Sequence, residues 1–238
     1  MGQVFAIAAG KDGSGKTTFA VNMAATLAKA GTRVALVDMN RGMRGLDLAL
    51  GLESAIVYDL DDWFCGNATL KQVEVQDSRF FNLSLFSCSQ NRSKSAPGAK
   101  QVAALYKELR GAFDFVLVEV PGGPCPEMLL AATAADGAVL VTTREQECLR
   151  NTETVSQMLR HNGVEKRCLL INKVCADLFD SDYLDPPEAI VERLRIPLLG
   201  MLPQDENFTV AAAAGDPIVC DANYVADAFR KMAQGLIR

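Results

Sequence analysis

The sequence predicts an α/β fold, a mostly parallel central sheet with helices on both faces, formed by a single domain over residues 1–238. Three observations predict it. Short apolar runs alternate with segments of helical periodicity along the chain, as parallel strands joined by helical crossovers do. A glycine-rich loop separates the first apolar run from the first helical pattern. Two later runs carry an acidic residue at or just past their ends, Asp38 and Glu119. Ligands of such sheets gather at the carboxyl ends of the strands, so loop and acids are expected to converge there.

In chain order, Val4 to Ala9 reads as a buried strand because its apolar run is unbroken. A helix over 16–30 follows, with Phe19, Val21, Met23, Ala24, Leu27 and Ala28 recurring at helical spacing. Further apolar runs predict strands at 33–37, 83–87, 115–120, 137–142, 168–174 and 197–201. Between and after them, helices are expected at 98–110, 126–134, 145–161, 186–194 and 222–236. The polar, turn-rich segment Gln90–Gly98 reads as a loop within the domain. No internal repeat or low-complexity tract is evident.

The loop Gly10-Lys11-Asp12-Gly13-Ser14-Gly15-Lys16-Thr17-Thr18 matches the pattern G-x-x-x-x-G-K-[ST] in its required strand–loop–helix setting. Its glycines reach backbone angles closed to other residues. Successive main-chain N–H groups can then converge on an anion, reinforced by the start of the helix. Lys16 is expected to reach the β- and γ-phosphates of a nucleoside triphosphate, and the Thr17 hydroxyl to ligate Mg²⁺. The expected fold is therefore a P-loop NTPase three-layer sandwich.

Composition narrows the setting. The 238 residues suffice for a sizeable core, and 49% of them are hydrophobic. No apolar run approaches the ~18 residues of a membrane span. The N-terminus has no basic stretch of the kind that opens a signal peptide. Seven cysteines are scattered without a C-x-x-C pair, which suits reduced thiols in the cytoplasm. A net charge of −5 disfavours nucleic-acid binding. The densest basic groups are Arg41 with Arg44, and Arg92, Lys94 and Lys100. The single histidine, His161, reads as a solvated residue near a helix end.

The loop, with its second lysine Lys11, resembles the deviant Walker A motif of the MinD/ParA ATPases. The likeness continues through Val37–Asn40 with Gly42–Leu48 (switch I) and Phe113–Gly123 (Walker B strand and switch II). It extends to Leu170–Val174, Gly200–Asp205 and Gly215–Val219. It covers nearly the whole chain and is nearest the MinD branch. The resemblance implies an ATP-dependent homodimer with two ATP molecules at its interface. Lys11 would then reach the partner's phosphates. It also implies that Asn172 and the stretch Pro203, Gln204 and Asp205 hold the adenine. The loop Gly10–Thr18 would hold the phosphates, and Thr17, Asp38 and Glu119 the Mg²⁺. The catalytic set is Lys11, Lys16 and Asn40. The expected role is a switch that positions division or other cell-surface machinery in bacteria, through an unidentified protein partner.

Four departures qualify this. Asn40 stands where the family usually has aspartate; it can orient a water but accepts protons poorly. Glu119 stands where Walker B ends in aspartate, one methylene longer. Slow ATP hydrolysis is therefore expected, with a catalytically impaired ATP-binding scaffold as the alternative. Asp12, where glycine is common, is a smaller change. Finally, the family's MinD members carry an amphipathic membrane-targeting helix beyond the domain, and here the last apolar stripe, Tyr224 to Ile237, reads as the domain's own final helix. A cytoplasmic location is expected, with a peripheral position at the inner face of the membrane as the other option. An iron–sulfur protein built on Cys88 and Cys125 is a remote third reading, because the surroundings of Cys88 do not match one.

Overall fold

The computed structural model describes residues 2–91, 96–175, 184–220 and 224–237. Arg92 and Lys94, part of the predicted basic group, lie outside them, as do residues 222 and 223 of the predicted last helix. Among the described residues, eight strands form one sheet: β1 (Gln3–Ala9), β2 (Val34–Asp38), β3 (Val75–Gln76), β4 (Leu83–Ser87), β5 (Phe115–Glu119), β6 (Gly137–Thr142), β7 (Lys166–Val174) and β8 (Leu198–Pro203). Their order is β3-β4-β2-β5-β1-β6-β7-β8, and all neighbours are parallel except the short β3–β4 hairpin.

The unbroken apolar strands follow from this arrangement, since both faces are covered. Along β1, Val4, Ala6 and Ala8 join one core, and Phe5, Ile7 and Ala9 join the other. Helices α1 (Lys16–Lys29) and α2 (Leu46–Leu50) lie on the second face, with the last helix, α10 (Tyr224–Ile237). The first face carries α3 (Leu60–Phe64), α5 (Ala99–Ala112), α6 (Pro126–Ala131), α7 (Gln146–His161) and α8 (Pro187–Leu194). The remaining helices are α4 (Leu70–Val73) and α9 (Asn207–Ala214).

The stripe of α10 is a core stripe. Val225, Phe229, Met232 and Leu236 are buried, and the Phe229 ring stacks on Phe19 of α1 at 5.9 Å. None of the described helices is long and apolar enough to cross a membrane. The structure also adds elements that periodicity did not predict: β3, α2, α3, α4 and α9. The predicted helix 126–134 ends at Ala131, and the chain turns through Ala134 at φ 61° before β6.

Candidate nucleotide site

The loop from Gly10 leaves the end of β1 and enters α1 at Lys16. Gly15 caps the helix with φ 101°, a left-handed conformation that costs other residues roughly 1–2 kcal/mol. A Cβ there would also collide with the Asn172 amide. Strand β7 holds the loop from that side. Asn172 Nδ2 donates to the Ser14 carbonyl at 2.8 Å, and Lys173 Nζ to the Gly13 carbonyl at 2.8 Å. Trans peptides put each N–H opposite its C=O, so the amides of Ser14 and Gly15 point away from β7. The strand thus presents the donors that an anion needs.

Lys16 is 4% exposed, and its ammonium lies 3.0 Å from Asp12 Oδ1. An anionic oxygen therefore already meets this lysine, which is the contact a phosphate would make. Beside it, Thr17 Oγ1 donates to Glu119 Oε1 at 2.7 Å. The other carboxylate oxygen, Oε2, is buried with no hydrogen-bond partner. An unpaired buried carboxylate oxygen beside a hydroxyl is a donor set that suits Mg²⁺, which takes hard oxygen ligands. Thr17 and Glu119 would hold the ion.

Asp38 pairs in register with Glu119 across β2 and β5. Its Oδ1 accepts from the Asn40 N–H at 2.9 Å, and its Oδ2 from the N–H groups of Gly45 and Leu46. In this geometry Asp38 chiefly holds the loop 40–46 in place; only its remaining lone pairs are left for a metal-bound water. Burial pushes the Asp38 carboxyl above its usual range despite those three donors. Burial and the neighbouring Asp38 push Glu119 up to about 8, against the opposing pull of Thr17 and Lys16.

A cavity of about 550 Å³ opens here, within the size range of small-molecule sites. Asp12, Gly13, Gly15, Lys16, Thr17 and Thr18 line its phosphate end, with Asn40 and Glu119. Asn172, Pro203, Gln204 and Asp205 line it as well. Gly10, Lys11, Ser14 and Asp38 do not. Gly10 packs on α7, where a Cβ would strike the Cys148 carbonyl. Asn172 has its Nδ2 committed to the loop, which leaves Oδ1 as the group for a base amine.

Lys11 points back onto its own chain. Its ammonium pairs with Glu145 and lies 4.0 Å from Glu147, at the start of α7. The hydrogen bond to Glu145 raises the lysine's pKa. Met43, Lys173 and Phe208 also line the cavity, and sequence reasoning missed all three. The only sequence signal for Lys173 is its place directly after Asn172; its φ of 56° is visible only in the fold. Cys88 is buried against the Met39 sulfur, and Cys125 accepts from the Met128 N–H at the start of α6.

A parallel sheet that offers a glycine loop, a lysine and a threonine at the start of α1 defines a P-loop nucleotide-binding protein. The chain belongs to the CobQ/CobB/MinD/ParA nucleotide-binding domain family, which it matches over residues 5–218. It is similar to the septum site-determining protein MinD of Bacillus subtilis, at 35% identity over 100% of this chain and 90% of the relative. The MinD of Synechocystis is 34% identical over 93% of this chain and 83% of its own length. Among solved structures, the MinC:MinD cell division protein complex of Aquifex aeolicus superposes with a TM-score of 0.91 at 28% identity, covering 99% of this chain and 96% of that one. MinD of Pyrococcus horikoshii complexed with Mg-ADP gives a TM-score of 0.88 at 28% identity, covering 99% and 96%.

The raised Glu119 pKa has a measurable consequence. Unfolding lets this carboxyl ionise near its ordinary value of 4.5, whereas the folded chain holds the proton to about 8. Between those values the native state binds more protons, so stability falls as pH rises. Glu119→Gln removes this penalty. Without nucleotide or metal, the variant is expected to melt above the wild type at pH 8, with the difference gone by pH 4.5. Thermal melts across that range check it.

Proposed function

We propose that the chain is a MinD-type switch that binds Mg-ATP, dimerises with it, and hydrolyses it slowly to position division or other cell-surface machinery. The observation that carries this reading is an intact phosphate cradle sharing one cavity with the two departing residues, Asn40 and Glu119. Mg-ATP supplies the transferable phosphoryl group when bound. Lys16 and the loop amides hold phosphate oxygens. Thr17 and Glu119 offer the metal two oxygens, and the Pro203–Asp205 wall faces the base. Asn40 orients an attacking water without accepting its proton. Phosphoryl transfer relies mainly on positioning and electrostatics. Losing the acceptor therefore slows turnover, by at most the ~10²–10⁴-fold that general bases contribute.

The similar chains support the cellular role: their names give septum-site determination, and one solved relative is a complex with MinC. In this reading Lys11 leaves Glu145 to meet the partner's phosphates, in the cytoplasm or at the inner face of the membrane. The partner protein is a separate component that the switch recruits. Asn40 also favours a second reading, a scaffold that binds ATP without turning it over.

Light scattering and phosphate release on the pure protein test both readings. The expected result is a doubled mass with Mg-ATP but not Mg-ADP, together with slow turnover. A monomer at saturating Mg-ATP removes the switch. Doubling with no phosphate release selects the scaffold.

A further inference from the structure

Two walls of the cavity come from different parts of the chain. One follows β2, carries Asn40, Met43 and Gly45, and leads into α2. The other follows β8, runs from Pro203 to Phe208, and leads into α9. Both helices end at a left-handed glycine, Gly51 and Gly215, and these two ends touch. A Cβ on Gly215 would lie 2.7 Å from the Gly51 Cα and 2.8 Å from its nitrogen. That is too close for any side chain at 215.

A single arginine spans this junction. Arg79, in the β3–β4 hairpin, donates from Nη2 to the Leu50 carbonyl at the end of α2, at 2.6 Å. Its Nη1 donates to the Gly215 carbonyl at the end of α9, at 2.6 Å, and to the Asp216 carboxylate. The fully buried Asp77 grips the same guanidinium through both oxygens, at 3.0 Å to Nε and 2.7 Å to Nη2. Carbonyls at helix ends lack intrahelical donors and carry partial negative charge. A planar, rigid fork of donors suits two such ends at once.

We infer that Arg79 is a positioning residue that locks the phosphate-side wall of the cavity to its base-side wall, fixing the separation at which phosphates and base are held. The inference rests on the nucleotide reading above. Arg79 is not among the residues lining the nucleotide cavity, so it acts through α2 and α9 alone. A ligand that occupies only the phosphate end is indifferent to this lock. A ligand that spans both walls depends on it.

Calorimetry with two probes, Mg-ATP and magnesium tripolyphosphate, separates these cases. Arg79→Gln is expected to weaken Mg-ATP binding about three- to tenfold, a size usual for coupling through a packed network. Tripolyphosphate affinity stays within about twofold, below that range. Arg79→Lys stays impaired, because one ammonium cannot reproduce the fork. Asp216→Asn removes only the ionic arm, on a carboxylate that is 62% exposed, and leaves the Leu50 and Asp77 contacts intact. It is expected to fold normally and to show a smaller loss, again confined to Mg-ATP. If the Arg79 variants do not fold, Asp216→Asn decides the matter. Equal loss of both probes, or unchanged Mg-ATP affinity in a folded variant, overturns the inference. Wild-type protein that binds neither probe overturns the nucleotide reading beneath it instead.

Discussion

Lys16→Ala is expected to weaken Mg-ATP binding by about 100-fold, with the fold retained. Charged hydrogen bonds are worth roughly 1.5–3 kcal/mol, and 100-fold corresponds to about 2.8 kcal/mol. This lysine is well placed to reach that range. Its ammonium is 4% exposed at the first residue of α1, so a bound phosphate would meet it with little competing water. The retained fold follows from its partner. Removing one member of a buried pair is costly when the other is stranded in the interior, but Asp12 is 62% exposed and is solvated once the lysine is gone. Titration calorimetry with a melting curve on the same sample checks both halves. A folded Lys16→Ala protein that binds Mg-ATP within threefold of the wild type would remove the phosphate cradle from this chain.

The second large effect runs the other way. Asn40→Asp is expected to raise the hydrolysis rate by about 10- to 100-fold, within the usual contribution of a general base. The backbone at this position is already set, because the Asn40 N–H donates to Asp38 and the side chain lines the cavity. The substitution changes one amide for a carboxylate of the same shape. Its environment favours proton acceptance near neutral pH. Asp38 is buried beside this position, and a neighbouring carboxylate raises a carboxyl's pKa toward the range where a base is most effective. The same crowding makes the ligand-free variant less stable than the wild type. Steady-state phosphate release settles the point. An unchanged rate in a variant that still binds Mg-ATP would mean that Asn40 does not limit turnover.

The seven parallel strands and the longer helices were legible because doubly covered strands are uniformly apolar and two-faced helices carry a 3.6-residue period. The missing elements lack those signals. β3 has two residues, and α2 has five, too few to display a period. α9 reads Asn-Phe-Thr-Val-Ala-Ala-Ala-Ala, small or apolar all round, so no face stands out. α4 was readable: Thr69 and Gln72 form a capping box at the spacing where one is expected. The same division holds in the site. The loop Gly10–Thr18 is encoded by local pattern. Lys173 and Arg79 act on carbonyls from distant segments, Gly13, Leu50 and Gly215, and no local window contains both partners.

The pairing of Lys11 with Glu145 and Glu147 sets the ledger for any contact this lysine makes elsewhere. Its charge is already neutralised at home, so reaching another molecule exchanges one counter-ion for another and returns two exposed carboxylates at the start of α7 to water. Added electrolyte screens the pair that is left as well as the pair that is formed. Selectivity for a new acceptor must then come from how much more negative it is than a glutamate, as a polyphosphate is.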